Sequence, residues 1–192
     1  MSGFSGLVAM NAPLSMREAD GALRVVTRDQ TDFWRGTFYG FYRDNGHFLY
    51  RVVEGDFTAT VVFEGRYREL YDQAGLMVRL QDTHWIKTGI EYTDGMTHLS
   101  AVVTNESSDW SVMPLPWAKD RPLALRLTRH GDAYRIQFKD ERSVWQMARL
   151  ASLPASPTVQ VGLMCCSPQR EGFEAVFHAF DVGPPIERRL HD

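Results

Sequence analysis

Three adjoining segments decide the fold: Gln73-Ala-Gly-Leu-Met-Val-Arg-Leu80, His84-Trp-Ile-Lys-Thr-Gly-Ile-Glu-Tyr-Thr93 and Met96-Thr-His-Leu-Ser-Ala-Val-Val-Thr104. Side chains alternate along each with the period of two that marks strands. Asp94-Gly95 between the last two suits a two-residue hairpin turn, whose central positions need positive φ. That turn sets Ile90 opposite Leu99, Ile86 opposite Val103 and Tyr92 opposite Thr97, an apolar face for a core. On the reverse face Glu91 meets His98, Gly89 meets Ser100, Lys87 meets Val102 and Trp85 meets Thr104. A three-residue loop at Gln81-Asp82-Thr83 adds the first segment. Ala74, Leu76, Val78 and Leu80 then join the core face, and Gln73, Gly75, Met77 and Arg79 the other.

Outward from this meander, strand-like segments recur at 22–28, 47–53, 56–65, 122–130, 133–140, 143–149, 158–166 and 172–182. Asp44-Asn45-Gly46, Glu54-Gly55-Asp56 and His130-Gly131-Asp132 mark turns. The last pairs Leu127 with Ile136 and Leu125 with Phe138, with Arg126, Thr128, Arg135 and Gln137 as a solvated reverse face. Prolines make 152–157 a loop. Helical periodicity is nearly absent. About a dozen strands imply an all-β, antiparallel, single-domain sandwich of jelly-roll type over 1–192, ending in a loosely attached tail at 184–192.

Composition narrows the function classes. The 192 residues carry a formal charge of -3 with 44% hydrophobic side chains, which suits a globular domain without a basic surface for nucleic acid. No apolar run is long enough to span a bilayer, and residues 1–10 have neither the basic nor the apolar part of a secretory signal. Adjacent Cys165 and Cys166 read as reduced thiols, so the expected location is cytoplasmic.

The meander's polar face carries the chemical interest. Gly75 and Gly89 lie abreast as a bare floor, overlooked by Gln73, Glu91, Lys87 and Trp85. Glycines in strand interiors mark close approach or bending. An indole that covers a sugar ring, with amide, carboxylate and ammonium groups for its hydroxyls, suits a polyhydroxylated ligand. The plainer reading is sheet curvature beneath a solvated polar face. Two-carboxylate glycoside hydrolysis is not expected, because Glu91 is the lone acid on this floor. Proton abstraction on a sugar is the enzymatic alternative, with Glu91 as base, His98 as its partner and Lys87 as electrophile. Lys87 and His98 would favour ionised Glu91. The six histidines show no metal-ligand spacing, and no phosphate loop, dinucleotide fingerprint or nucleophile elbow occurs. Neither a metal nor a cofactor is expected.

Several blocks together carry a resemblance: Thr31-Asp-Phe-Trp-Arg-Gly-Thr-Phe-Tyr-Gly-Phe41, Asp44-Asn-Gly-His47, Tyr71-Asp-Gln-Ala-Gly-Leu-Met-Val-Arg79, Trp85-Ile-Lys-Thr-Gly-Ile-Glu-Tyr92, Ser100-Ala-Val-Val-Thr-Asn105 and Asp109-Trp-Ser111. From about residue 10 to 183 the chain resembles a family of uncharacterised concanavalin A-like sandwich proteins that includes the yeast regulation-of-enolase protein. The resemblance implies a lectin/glucanase-type jelly roll whose concave face holds carbohydrate. The matching positions are Trp34, Tyr39, Tyr71, Gln73, Lys87, Glu91 and Trp110; Phe38 departs from a polar ring common in relatives. The expected site thus joins Gln73, Met77, Lys87, Glu91 and His98 to aromatic walls from Trp34, Tyr39, Tyr71, Trp85 and Trp110. The expected partner is a small carbohydrate or sugar derivative, with a metabolic enzyme as the regulatory alternative, bound by a monomer or homodimer.

Overall fold

The computed structural model describes residues 3–190. The chain runs β1 (Val8–Met10), β2 (Ser15–Ala19), β3 (Ala22–Val26), β4 (Phe33–Arg35), β5 (Tyr42–Asp44) and β6 (His47–Glu54). It continues through β7 (Phe57–Gly65), β8 (Gln73–Gln81), β9 (His84–Thr93), β10 (Met96–Asn105) and β11 (Ser107–Pro114). After a 3-10 turn at Pro116–Lys119 come β12 (Leu123–His130), β13 (Ala133–Lys139), β14 (Trp145–Ser152), β15 (Thr158–Cys166) and β16 (Glu174–Gly183). One seven-stranded antiparallel sheet has the order β1-β6-β15-β8-β9-β10-β11 and the other β14-β13-β12-β7-β16-β3-β2, while β4 and β5 form a separate hairpin. No helix among the described residues is long and apolar enough to cross a membrane.

The core lies between the seven-stranded sheets. Leu76, Val78, Ile86, Ile90 and Leu163 from the first meet Val61, Phe63, Leu125, Ile136 and Phe177 from the second. The meander keeps the register that its turns imply: Glu91 faces His98, Gly89 faces Ser100, Gly75 faces Gly89 and Met77 faces Lys87. Asp94 and Gly95 both take positive φ, as the tight turn requires. One detail differs. Gln81 pairs with His84 and the register shifts after Arg79, so the connection shortens to Asp82-Thr83 and Leu80 is taken up as a bulge.

Strands β1, β2, β4, β5 and β11 escaped the sequence pattern. β1, β2 and β11 are sheet edges with mostly exposed residues, so no buried face imposes an alternation on them. The expected solvated reverse face of β12–β13 is also corrected: Thr128, Arg135 and Gln137 are buried. The segment after β16 crosses this region. The Ile186 N–H donates to Thr58 Oγ1 at 3.0 Å, and the Arg135 guanidinium donates to the carbonyls of Glu187 and Arg189. The tail expected to be loose is therefore hydrogen-bonded as far as Arg189, and residues 191–192 lie outside the described ones.

Gly75 and Gly89 are a packing requirement. A Cβ on Gly75 would lie 2.1 Å from the Thr88 carbonyl oxygen, and one on Gly89 would lie 2.0 Å from that of Ala74. Both obstacles are paired backbone, which has nowhere to move. Gly89→Ala should therefore lower stability by about 3 kcal/mol in urea unfolding. Gly21→Ala meets no atom within 4 Å and bears only the cost of its φ of +76°, about 1 kcal/mol.

Candidate functional site

The site forms on the outer face of the first sheet, where the β4–β5 hairpin is clamped down. Arg79, nearly buried on β8, donates to both carboxylate oxygens of Asp44 at 2.6 and 2.8 Å. The Arg35 N–H donates to Ser108 Oγ at 2.9 Å. Under the hairpin Phe33 and Trp34 pack with Phe48, Met77, Trp85, Val102, Met164 and Cys166 into a second apolar cluster. The loop before β4 is fixed as well. The Asp32 N–H donates to Asn45 Oδ1, and the Asp32 carbonyl accepts the N–H groups of Asn45 and Gly46.

These anchors leave a pocket of about 160 Å³ lined by Asp32, Trp34, Tyr39, Phe41, Tyr71, Gln73, Lys87, Glu91, Val102, Trp110, Pro168 and Gln169. Its aromatic walls brace one another. Trp34 meets Tyr39 edge-on at 5.9 Å and Trp110 at 6.5 Å, Tyr71 meets Trp110 at 6.4 Å, and the Tyr39 and Tyr71 hydroxyls lie 2.8 Å apart. Trp34 Nε1 is spent on the Thr37 carbonyl.

The polar groups are equally constrained. Lys87 Nζ donates to Asp32 Oδ1 at 2.9 Å, and the same oxygen accepts the Phe33 N–H at 2.8 Å and faces Gln73 Nε2 at 3.5 Å. A relay runs from Trp110 Nε1 to Ser100 Oγ at 3.1 Å, and from the Ser100 hydroxyl to Glu91 Oε2 at 2.7 Å. Asp32 Oδ2 has no hydrogen-bond partner among the described residues, while the Glu91 carboxyl draws on both Ser100 and the Trp110 indole. Burial pulls Lys87 down, but Asp32 and the other acidic groups around it outweigh that and hold the ammonium above its ordinary value. Burial raises Glu91, and the opposing effects of Lys87 and Ser100 do not cancel it. Lys87 thus favours ionised Glu91 as expected, but burial outweighs it, and His98 takes no part. Burial and the Tyr39 hydroxyl raise Tyr71.

The pocket rim behind Tyr71 is pinned by a buried acid. Asp72 accepts from Arg170 Nη2 at 2.6 Å and Ser167 Oγ at 2.8 Å, and its Oδ2 accepts the N–H groups of Arg68 and Glu69, each at 3.0 Å. Pro168 and Gln169 lie between two of these anchors.

Of the residues singled out in the sequence, Trp34, Tyr39, Tyr71, Gln73, Lys87, Glu91 and Trp110 converge on the pocket. Met77 and Trp85 do not; the hairpin covers them, and both are fully buried in the second cluster. His98 lies across the ladder from Glu91, but its Nδ1 is 3.3 Å from the Met96 carbonyl and its ring is not part of the pocket lining. Phe38 is 93% exposed at the hairpin tip. Sequence reasoning missed Asp32, Phe41, Val102, Pro168 and Gln169, and with Asp32 it missed a second carboxylate beside Glu91. No group of three or more His, Cys, Asp or Glu side chains among the described residues could hold a metal ion.

Comparison with known proteins places this architecture. Residues 9–185 match the family described as "Protein of unknown function (DUF1349)". Over 183 residues the chain is 43% identical to Regulation of enolase protein 1 of Saccharomyces cerevisiae, covering 95% of this chain and 92% of that one. A crystal structure of a functionally unknown protein from Saccharomyces cerevisiae superposes with a TM-score of 0.90 and 42% identity, over 96% of this chain and 99% of that one. Carbohydrate binding module CBM66 from Bacillus subtilis shares the fold, with a TM-score of 0.61 and 13% identity over 95% of this chain and 98% of that one. The all-β jelly-roll sandwich expected from the sequence is the observed fold.

Two stability measurements check the electrostatics. Glu91 has a folded pKa above its unfolded value, so above about pH 4.3 the folded chain binds more protons than the unfolded one. Stability from this group is full below that pH and falls as pH rises through the folded value. Glu91→Gln should therefore have a higher Tm than the parent at pH 7, with the gap closing toward pH 4. Asp32→Ala strands Lys87, whose side chain is 4% exposed, and should cost about 3 kcal/mol in urea unfolding; adding Lys87→Met should recover part of it.

Proposed function

The chain belongs to the DUF1349 family, and from that starting point we propose that it binds a neutral carbohydrate in the aromatic pocket. The observation that carries this reading is the pairing of four braced aromatic rings with two carboxyl groups in the lining of one pocket. Ring faces cover the C–H surface of a sugar, and carboxylate oxygens accept its hydroxyl protons. Asp32 and Glu91 oppose an anionic ligand, and Lys87 opposes a cationic one. The jelly-roll likeness to a carbohydrate binding module supports the same reading.

Binding fits the geometry better than turnover. For proton abstraction Glu91 would need His98 beside it as a partner, yet His98 Nδ1 is turned to the Met96 carbonyl at 3.3 Å. Asp32 is a second carboxylate, but Lys87 and the Phe33 N–H hold one of its oxygens in place. A second reading, regulation of a metabolic enzyme by contact, takes its motive from the yeast relative's name. Its place would be the hairpin tip, where Phe38 and Tyr42 are 93% and 65% exposed.

A thermal-shift screen with neutral sugars, uronic acids and sugar phosphates tests the proposal. A neutral sugar should raise Tm, because a ligand at 100 times its Kd adds about 2.7 kcal/mol to the folded state. Trp110→Ala should weaken that binding about tenfold or more. Failure of every neutral sugar, with stoichiometric recovery of one metabolic enzyme in a pull-down that Phe38→Ser abolishes, would replace the first reading by the second.

A further inference from the structure

The pocket has a neighbour. A second cleft of about 320 Å³ is lined by Asp29, Gln30 and Arg43 together with Asp32, Phe41, Pro168 and Gln169, and these last four also line the aromatic pocket. The two recesses therefore meet along one sill.

Their shapes and linings differ. A 160 Å³ space is close to the ~150 Å³ that accommodates one benzene-sized ring. It is also blind on the hairpin side, where the Phe33, Met77 and Trp85 cluster fills the sheet face beside Trp34. Such a space suits the end of a chain better than its middle. The cleft across the sill offers hydrogen-bonding groups instead of an aromatic box, and the Arg43 guanidinium lies 5.7 Å from the Phe41 ring centre. Phe41 in turn stacks on Tyr39 at 5.3 Å, so one aromatic stack links the two recesses. The cleft wall is tied down: Asn45 Nδ2 donates to the Gln30 carbonyl at 3.0 Å, and the Thr31 N–H donates to the Ser167 carbonyl at 3.2 Å. Asp29 and Arg43 offset each other's charge, which suits an uncharged polar unit.

We propose that the site is bipartite and end-selective. The terminal ring of a neutral oligosaccharide fills the aromatic pocket, and the next unit lies across the Asp32–Phe41–Gln169 sill against Asp29, Gln30 and Arg43. This rests on the carbohydrate reading above and adds the length and polarity of its ligand.

Calorimetric titration of the full chain with matched series tests it: xylose against xylobiose and xylotriose, glucose against maltose, maltotriose and α-cyclodextrin, fructose against inulobiose and inulotriose. In the series that binds, the disaccharide should bind about tenfold tighter than the monosaccharide, and the third unit should add less than twofold. Arg43→Ala, an exposed position, should bind both lengths alike. If the glucose series binds, α-cyclodextrin, which has no chain end, should not. Equal affinity for mono- and disaccharide overturns the bipartite site and leaves the carbohydrate reading standing. Cyclodextrin binding as tightly as maltotriose, or continued gains with each added unit, overturns end selectivity. No binding by any sugar overturns this inference and the carbohydrate reading together.

Discussion

A charged amine held under a layer of aromatic side chains is the constraint from which the site follows. Lys87 lies on the outer face of a sheet, where solvent would ordinarily hydrate it, yet its side chain is only 4% exposed. An ammonium withdrawn from water needs a counter-charge with good geometry, or it loses its proton. Asp32 supplies that charge from the loop before the β4–β5 hairpin. The carboxylate, the loop and the hairpin are one assembly, and Phe33 and Trp34, next in the chain, bring apolar cover with it. The ion pair and the apolar cluster reinforce each other: the cluster dries the pair, and the pair fixes where the cluster sits. An open sheet face becomes a blind pocket as a result.

The second carboxylate obeys a different balance. Glu91 has no full counter-ion of its own, because Lys87 is engaged with Asp32. It is stabilised by the Ser100 hydroxyl and the Trp110 indole, and that hydroxyl also receives the Trp110 N–H. Burial then outweighs the favourable neighbours. Two carboxyl groups in one pocket thus differ in what surrounds them, one tied by an ammonium and a backbone N–H, the other by a serine hydroxyl and an indole. The same serine orients an aromatic wall, so the position of Trp110 and the environment of Glu91 are coupled through Ser100.

The sheets were legible in the sequence where local chemistry sets register. Asp94-Gly95 fixes one hairpin and Gly131 the other, and alternation then sorts every residue to a face. The placing of Gln73, Lys87 and Glu91 on one face followed from that register alone. What could not be read was whatever lands on a face from far along the chain. Asp32 reaches Lys87 across 55 positions, and nothing in the Thr31-Asp32-Phe33-Trp34 run reports which strand it will meet. Met77 and Trp85 were placed on the correct face, but that face is part pocket and part second core, a division drawn by a three-residue strand too short to show a period. The tail hid Thr128, Arg135 and Gln137 for the same reason: burial by a distant segment leaves no periodic trace.

Asp72 carries a final consequence. By holding Arg170, Ser167 and the backbone of Arg68 and Glu69 at once, it welds the turn that bears Pro168 and Gln169 to the turn that leads into Tyr71. Two adjoining stretches of the rim are therefore set before any guest arrives. A preset mouth loses little conformational entropy when it is filled. A recess preset in this way would discriminate by rejecting what does not fit rather than by adapting to it.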